Sequence, residues 1–156
     1  MRRMWAGAGV VASTAVAGQD WRRTVPKPAP ASPLKLPVPQ RFTLPNGLTV
    51  MLVEQHKLPV VAANLVVLAG SEANPPDEPG LASFTADMLD EGTATRPALQ
   101  ISAEADRIGA VLGTGASRDS ASVSVRTLRQ HVETAFDLLA DVTLRPAFAA
   151  KELDRL

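Results

Sequence analysis

From Arg41 onward, short apolar runs alternate with turn-forming breaks, and that rhythm predicts the elements of the chain. Asn46-Gly47 separates Arg41-Phe42-Thr43-Leu44 from the apolar stretch Leu48 to Val53, and Asn-Gly between two such runs predicts a β-hairpin. After Lys57-Leu58-Pro59, Val60 to Leu68 is almost uninterrupted Val, Ala and Leu, the pattern of a strand buried on both faces. Asn74-Pro75-Pro76-Asp77-Glu78-Pro79 is a loop. A helix then starts near Gly80 or Leu81, with Leu81, Phe84, Met88 and Leu89 at helical spacing and Gly92 as its stop. A second helix runs from Leu99 to Gly109 and places Ile101, Ala105 and Ile108 on one face.

Val111 to Ala116 reads as a strand despite Gly113 and Gly115. Next, Ala121, Val123 and Val125 alternate cleanly with Ser122, Ser124 and Arg126, which is the signature of a half-buried strand. Val132, Ala135, Phe136, Leu139 and Val142 mark a third amphipathic helix that ends before Pro146, and Phe148 to Leu156 opens a fourth. The order βββ, αα, ββ, α, α predicts an α+β fold in which helices pack on one side of a largely antiparallel sheet.

The first forty residues follow a different rule. From 1 to 41 the chain carries seven basic side chains against the single Asp20, a net +6, so the remainder carries −6 and the 16 basic and 16 acidic residues cancel. Arg2-Arg3, an uncharged stretch from Trp5 to Val16, and Ala15-Val16-Ala17 before Gly18 have the layout of an export signal over residues 1–17. The expected location is therefore the bacterial periplasm or the extracellular space. Pro26, Pro28, Pro30, Pro33, Pro37 and Pro39 dominate the segment that follows. They fix φ and remove backbone donors, so residues 18–40 read as an extended linker, with a proline-rich ligand for an aromatic groove as the alternative use. No run reaches the ~18 apolar residues a transmembrane helix requires.

Composition narrows the chemistry. A balanced charge argues against a nucleic-acid binder, and the absence of cysteine excludes thiolate catalysis, disulfides and cysteine-based metal sites. Only His56 and His131 are available as imidazoles, the first in a turn and the second at a helix start. Gly113-Thr114-Gly115 lacks the third glycine of a dinucleotide loop, because Arg118 stands there, and it follows a helix rather than a strand. On the first helix, Ser83 and Asp87 stand at i and i+4 with Asp90 three further on, a polar set partly separate from the apolar stripe.

The stretch from Arg41 to Glu54, then Leu58-Pro59-Val60-Val61, Gly70-Ser71-Glu72-Ala73-Asn74 and the run Gly80 to Thr93, resembles the N-terminal domain of the pitrilysin/insulinase family of zinc peptidases. The likeness continues through Phe136 to Asp141 and Arg145 to Leu153, so it covers essentially residues 41–156. Members of that family carry His-x-x-Glu-His on the helix after Gly-Leu-Ala, two imidazoles to bind zinc and a glutamate to activate its water. Here Ser83, Ala86 and Asp87 stand at the first-ligand, base and second-ligand positions. A serine hydroxyl is a poor zinc ligand at neutral pH, and alanine takes no proton. The resemblance places the third ligand beyond Leu156, together with further helices and a closing strand, which implies a domain incomplete at its C-terminus. It therefore implies no catalytic residues, no cofactor and no metal site within this chain.

In bacteria such chains often pair, one subunit keeping the zinc motif and the other helping to enclose the peptide substrate. The resemblance implies a non-catalytic subunit, or the N-terminal piece of one, with a zinc-bearing homologous peptidase subunit as partner. Two alternatives stand beside it: a free-standing peptide-binding or scaffold module without a protease partner, and a hydrolase working through another arrangement of residues.

Overall fold

A computed structural model describes residues 28–31, 33 and 36–156. The expected export signal at 1–17, and the linker up to residue 27, lie outside the described residues. The chain divides into two compact units, Met1–Val53 and Glu54–Leu156.

In the first unit the described residues before Gln40 form no helix or strand, in keeping with their prolines. The predicted hairpin follows as β1 (Gln40–Thr43) and β2 (Thr49–Leu52), antiparallel, with Gln40 opposite Leu52 and Thr43 opposite Thr49. The loop holds three residues rather than two. Leu44 N–H donates to Leu48 O at 2.9 Å and Gly47 N–H to Leu44 O at 2.9 Å, while Gly47 takes φ 88°, which a side chain would resist. Pro45 supplies the pre-set φ of the turn, and Asn46 Oδ1 accepts the Leu48 N–H at 3.1 Å.

The second unit contains β3 (Val60–Val67), α1 (Leu81–Asp87), α2 (Ala98–Arg107), β4 (Val111–Ala116), β5 (Ala121–Leu128), α3 (Val132–Leu144) and α4 (Ala150–Leu153). Its three strands form an antiparallel sheet in the order β3-β5-β4. With the alternation seen in the sequence, β5 buries Val123, Val125 and Thr127 and exposes Ser124 and Arg126. Against that buried side pack Ile101, Ala105 and Ile108 around α2 and Ala135, Leu138 and Val142 of α3, forming one core. The expected α+β arrangement, with an antiparallel sheet and helices, is thus what the chain adopts. Among the described residues no helix is long and apolar enough to cross a membrane.

Three expectations about burial are corrected. β3 is an edge strand and is not buried on both faces: Val61, Ala63 and Leu65 are half-buried, while Val60 and Val66 are 42% and 48% exposed. An edge position beside a sheet whose helices supply one core leaves the other apolar row without cover. On α3 the buried stripe runs through Leu138 rather than Phe136, which is exposed, and Leu139 is only partly covered. On α1, Leu81 is exposed and the helix ends at Asp87, with Met88 buried just beyond it.

One glycine is set by close approach. A Cβ on Gly70 would stand 2.5 Å from Ser117 O and from Ser120 N and 2.6 Å from Arg118 O. The chain leaving β3 lies directly on the β4–β5 turn, where Ser71 N–H donates to Ser117 O and Glu72 N–H to Arg118 O. This contact delivers the loop to the start of α1, where Asn74 Oδ1 accepts the Ala82 N–H at 3.1 Å and satisfies one of the free amides of the first turn.

Candidate functional site

The helix α1 packs against β4 and β5, and its seven residues sort by face. Ala86 points inward and is 2% exposed. Ser83 and Asp87, one turn apart, are exposed. They line an open depression of about 540 Å3 together with Glu78, Pro79, Leu81 and Phe84. The structure therefore brings Ser83 and Asp87 together and turns Ala86 away from them into the protein.

These side chains do not fit a zinc ion. Ser83 and Asp87 offer one hydroxyl and one carboxylate in place of the imidazoles zinc favours, and the buried Ala86 between them offers only a methyl group. Among the described residues no three His, Asp or Glu side chains gather closely enough to hold a metal. His56 is exposed, with Nε2 3.2 Å from Glu54 Oε2. His131 precedes the first residue of α3 without a side-chain bond to the helix, its Nε2 lying 3.0 Å from Gln130 Nε2. Neither histidine lines the depression. Asp90, half-buried, has its carboxyl pushed up from the usual range by burial, and the charges of Glu91 and Asp87 add to that push.

Behind the helix lies a polar cluster that the periodicity did not isolate. Asp141 occupies the buried stripe of α3, fully enclosed. Its Oδ2 accepts hydrogen bonds from Thr93 Oγ1 at 2.6 Å, Thr95 Oγ1 at 2.7 Å and Arg96 Nη1 at 2.8 Å. Arg145 Nε lies 2.8 Å from Oδ1; this is an ion pair whose N–H points off the oxygen, so Oδ1 has a charge partner and no hydrogen bond. Arg96 reaches further, to Asp137 Oδ2 at 2.5 Å and Glu104 Oε2 at 3.1 Å. Burial works against the Asp141 charge, but the donors from Thr93, Thr95 and Arg96 and the nearby Arg145 outweigh it and bring its pKa down to about 2. The same bond to Asp141, first among its contacts, holds the Arg96 guanidinium more firmly protonated than usual.

The cluster closes a strap. Gly92 pairs with Pro97 and Thr93 with Pro146 in isolated bridges, and Ala94 N–H donates to Arg145 O and Ala147 N–H to Gly92 O. The segment leaving α1 is thereby pinned to the end of α3 through backbone and side chains together. One signal in the sequence pointed here: an aspartate at position 141, three and six residues after Leu138 and Ala135, falls on an apolar face and so demands a cation or donors.

The family model for Insulinase (Peptidase family M16) matches residues 49–156. An uncharacterized zinc protease of Rickettsia bellii is 34% identical over 70% of this chain and 27% of its own length. A zinc protease of Bacillus subtilis is 28% identical over 74% of this chain and 28% of its own. A solved structure described as a peptidase M16 inactive domain from Pseudomonas fluorescens superposes with a TM-score of 0.71 at 34% identity, covering 75% of this chain and 29% of that one. The chain thus spans a little over a quarter of the length of each of these three proteins.

Proposed function

The chain belongs to the insulinase (M16) peptidase family, and from that premise we propose that it serves as a non-catalytic member, helping to form a peptide-binding chamber beside a zinc-bearing homologous subunit. The observation that carries this reading is the arrangement on α1. The two positions where the family places imidazoles hold Ser83 and Asp87, both exposed, and the position of the general base holds the buried Ala86. Such a helix keeps the family scaffold without a group to polarise a scissile carbonyl or activate water. The likeness to the Pseudomonas fluorescens domain, itself described as inactive, supports this reading.

A peptide-binding role suits what remains. The depression beside α1 is mostly apolar with a few polar groups at its rim, the makeup of a surface that can hold part of a peptide. Export to the periplasm or beyond rests on Arg2-Arg3, the uncharged stretch and Ala15-Val16-Ala17. N-terminal sequencing of protein from its native host tests this, with a start at Gly18 expected.

Three measurements test the functional proposal. Metal analysis after dialysis should find no stoichiometric zinc, and the chain alone should leave an unstructured peptide uncut. Co-expression with a family member carrying an intact His-x-x-Glu-His should give a complex that cleaves it. Retained zinc with chelator-sensitive proteolysis by the chain alone overturns the reading.

A further inference from the structure

We propose that Asn46 is a site of spontaneous deamidation gated by the β1–β2 turn: the closed turn holds the reaction back, and each opening of the hairpin releases it. The reaction needs only the Asn46 side chain, the nitrogen of the next residue and water. Hydroxide takes the Gly47 N–H proton, the nitrogen electron pair attacks Asn46 Cγ, and the Cγ–Nδ2 bond breaks as ammonia leaves with a proton from water. Water then opens the five-membered succinimide at either carbonyl, giving aspartate or, with the main chain rerouted through Cγ, isoaspartate.

The chain holds three asparagines, and one has the neighbour this step requires. Asn46 is followed by Gly47, Asn64 by Leu65 and Asn74 by Pro75. Glycine has no Cβ to crowd the ring closure, Leu65 does, and Pro75 has no N–H to give up. Asn64 also lies within β3, opposite Ser124. Asn46 is exposed in a loop, and a Cβ on Gly47 would meet no atom within 4 Å, so water reaches the reacting groups. The closed turn nevertheless engages both reactants. Gly47 N–H donates to Leu44 O at 2.9 Å, and Asn46 Oδ1 accepts the Leu48 N–H at 3.1 Å. The proton that must leave is in use, and the side chain is tied across the turn. That lock is weak. β1 and β2 form a two-stranded sheet whose residues are all exposed except the half-buried Val50, and such a hairpin is marginally stable, so it opens locally at low cost. An aspartate product keeps an acceptor for Leu48 N–H. Isoaspartate adds a methylene to the main chain and spoils the register that sets Thr43 opposite Thr49, which makes that branch one-way.

The test incubates the full chain at neutral pH, folded and in concentrated urea, and follows amide-to-acid conversion at each asparagine by peptide mapping and mass spectrometry. Conversion should be confined to Asn46 in both states and about tenfold slower in the folded chain, as for a marginal hairpin open about a tenth of the time. Deuterium exchange at the Gly47 amide should be slowed by a similar factor, because the same bond to Leu44 O governs both. Phe42→Gly, which removes the side chain opposite Val50, should raise conversion in the folded chain to the urea rate. No conversion at Asn46 in urea, or equal conversion at Asn64, overturns the site. Equal rates in the two states, no conversion in the folded chain, unslowed Gly47 exchange, or a Phe42→Gly rate unchanged from wild type overturns the gate.

Discussion

Asp87 and Asp141 are the same side chain on two helices of one unit, and their surroundings give them opposite jobs. Asp141 is fully enclosed, with two threonine hydroxyls and Arg96 on one oxygen and Arg145 beside the other. Asp87 is exposed at the rim of a depression with another carboxylate, Glu78, nearby. A buried charge has to be satisfied by its own protein, because an unpartnered one would cost several kcal/mol, a large share of a domain's net stability. An exposed charge is under no such demand and remains available to an outside partner. The strap from Gly92 to Pro97 is therefore architecture, while the outer face of α1 is where recognition can happen.

The comparison breaks most readily at Asp141. Asp141→Asn removes the charge on which Arg96 and Arg145 converge and should cost about 3 kcal/mol in chemical denaturation, about 2 from the charge itself and about 1 from a buried donor left facing an amide. A loss below about 1 kcal/mol would mean that the strap is not a fixed part of the fold. Next comes Ala86→Glu, which places a carboxyl at a position 2% exposed. It should destabilise by about 3 kcal/mol from overpacking and burial of a carboxyl, and should yield no peptidase activity with Ser83 and Asp87 unchanged. Hydrolysis by this variant would show that the helix can turn its inner face outward.

Acid titration sharpens the same contrast. The folded Asp141 pKa is lowered from 3.8 to about 2, so the folded state holds its proton less tightly than the unfolded chain does. Its contribution is fully present above about pH 4 and is lost as the pH falls from there through about 2. That contribution is worth roughly 2 kcal/mol by linkage. Urea midpoints measured across this window should fall for wild type and change less for Asp141→Asn. The smallest effect belongs to the other member of the pair: Asp87→Asn should move stability by less than about 0.5 kcal/mol, as an exposed substitution without a protein partner. A larger change would place Asp87 among the groups that hold the fold together.

Much of the second unit was legible in the chain because its signals are local. The alternation of Val123 and Val125 with Ser122 and Ser124 names the buried face of β5, and the spacing of Ile101, Ala105 and Ile108 names that of α2. The candidate site was legible as far as residue identity goes, since Ser83, Ala86 and Asp87 are visible in a short run with a family pattern around it. Periodicity misled at Val60 to Leu68, where an apolar run implied two covered faces and the strand lies at an edge. It also put Phe136 rather than Leu138 in the core, because both lie within one helical turn and only the partner surface chooses between them.

The sequence by itself determined the order of elements, the hairpin at Asn46-Gly47, the family and the residue types Ser83, Ala86 and Asp87 on the first helix, for each of these is written in runs of neighbouring positions. Tertiary structure decided which polar groups meet. Thr93 and Asp141 stand 48 positions apart, and nothing local to either states that a hydroxyl on the strap will satisfy a carboxylate inside α3. It also decided that Ala86 faces inward while Ser83 and Asp87 share an open rim with Glu78. Burial and electrostatics depend on what the rest of the chain brings alongside, and the pattern of any one segment leaves that open.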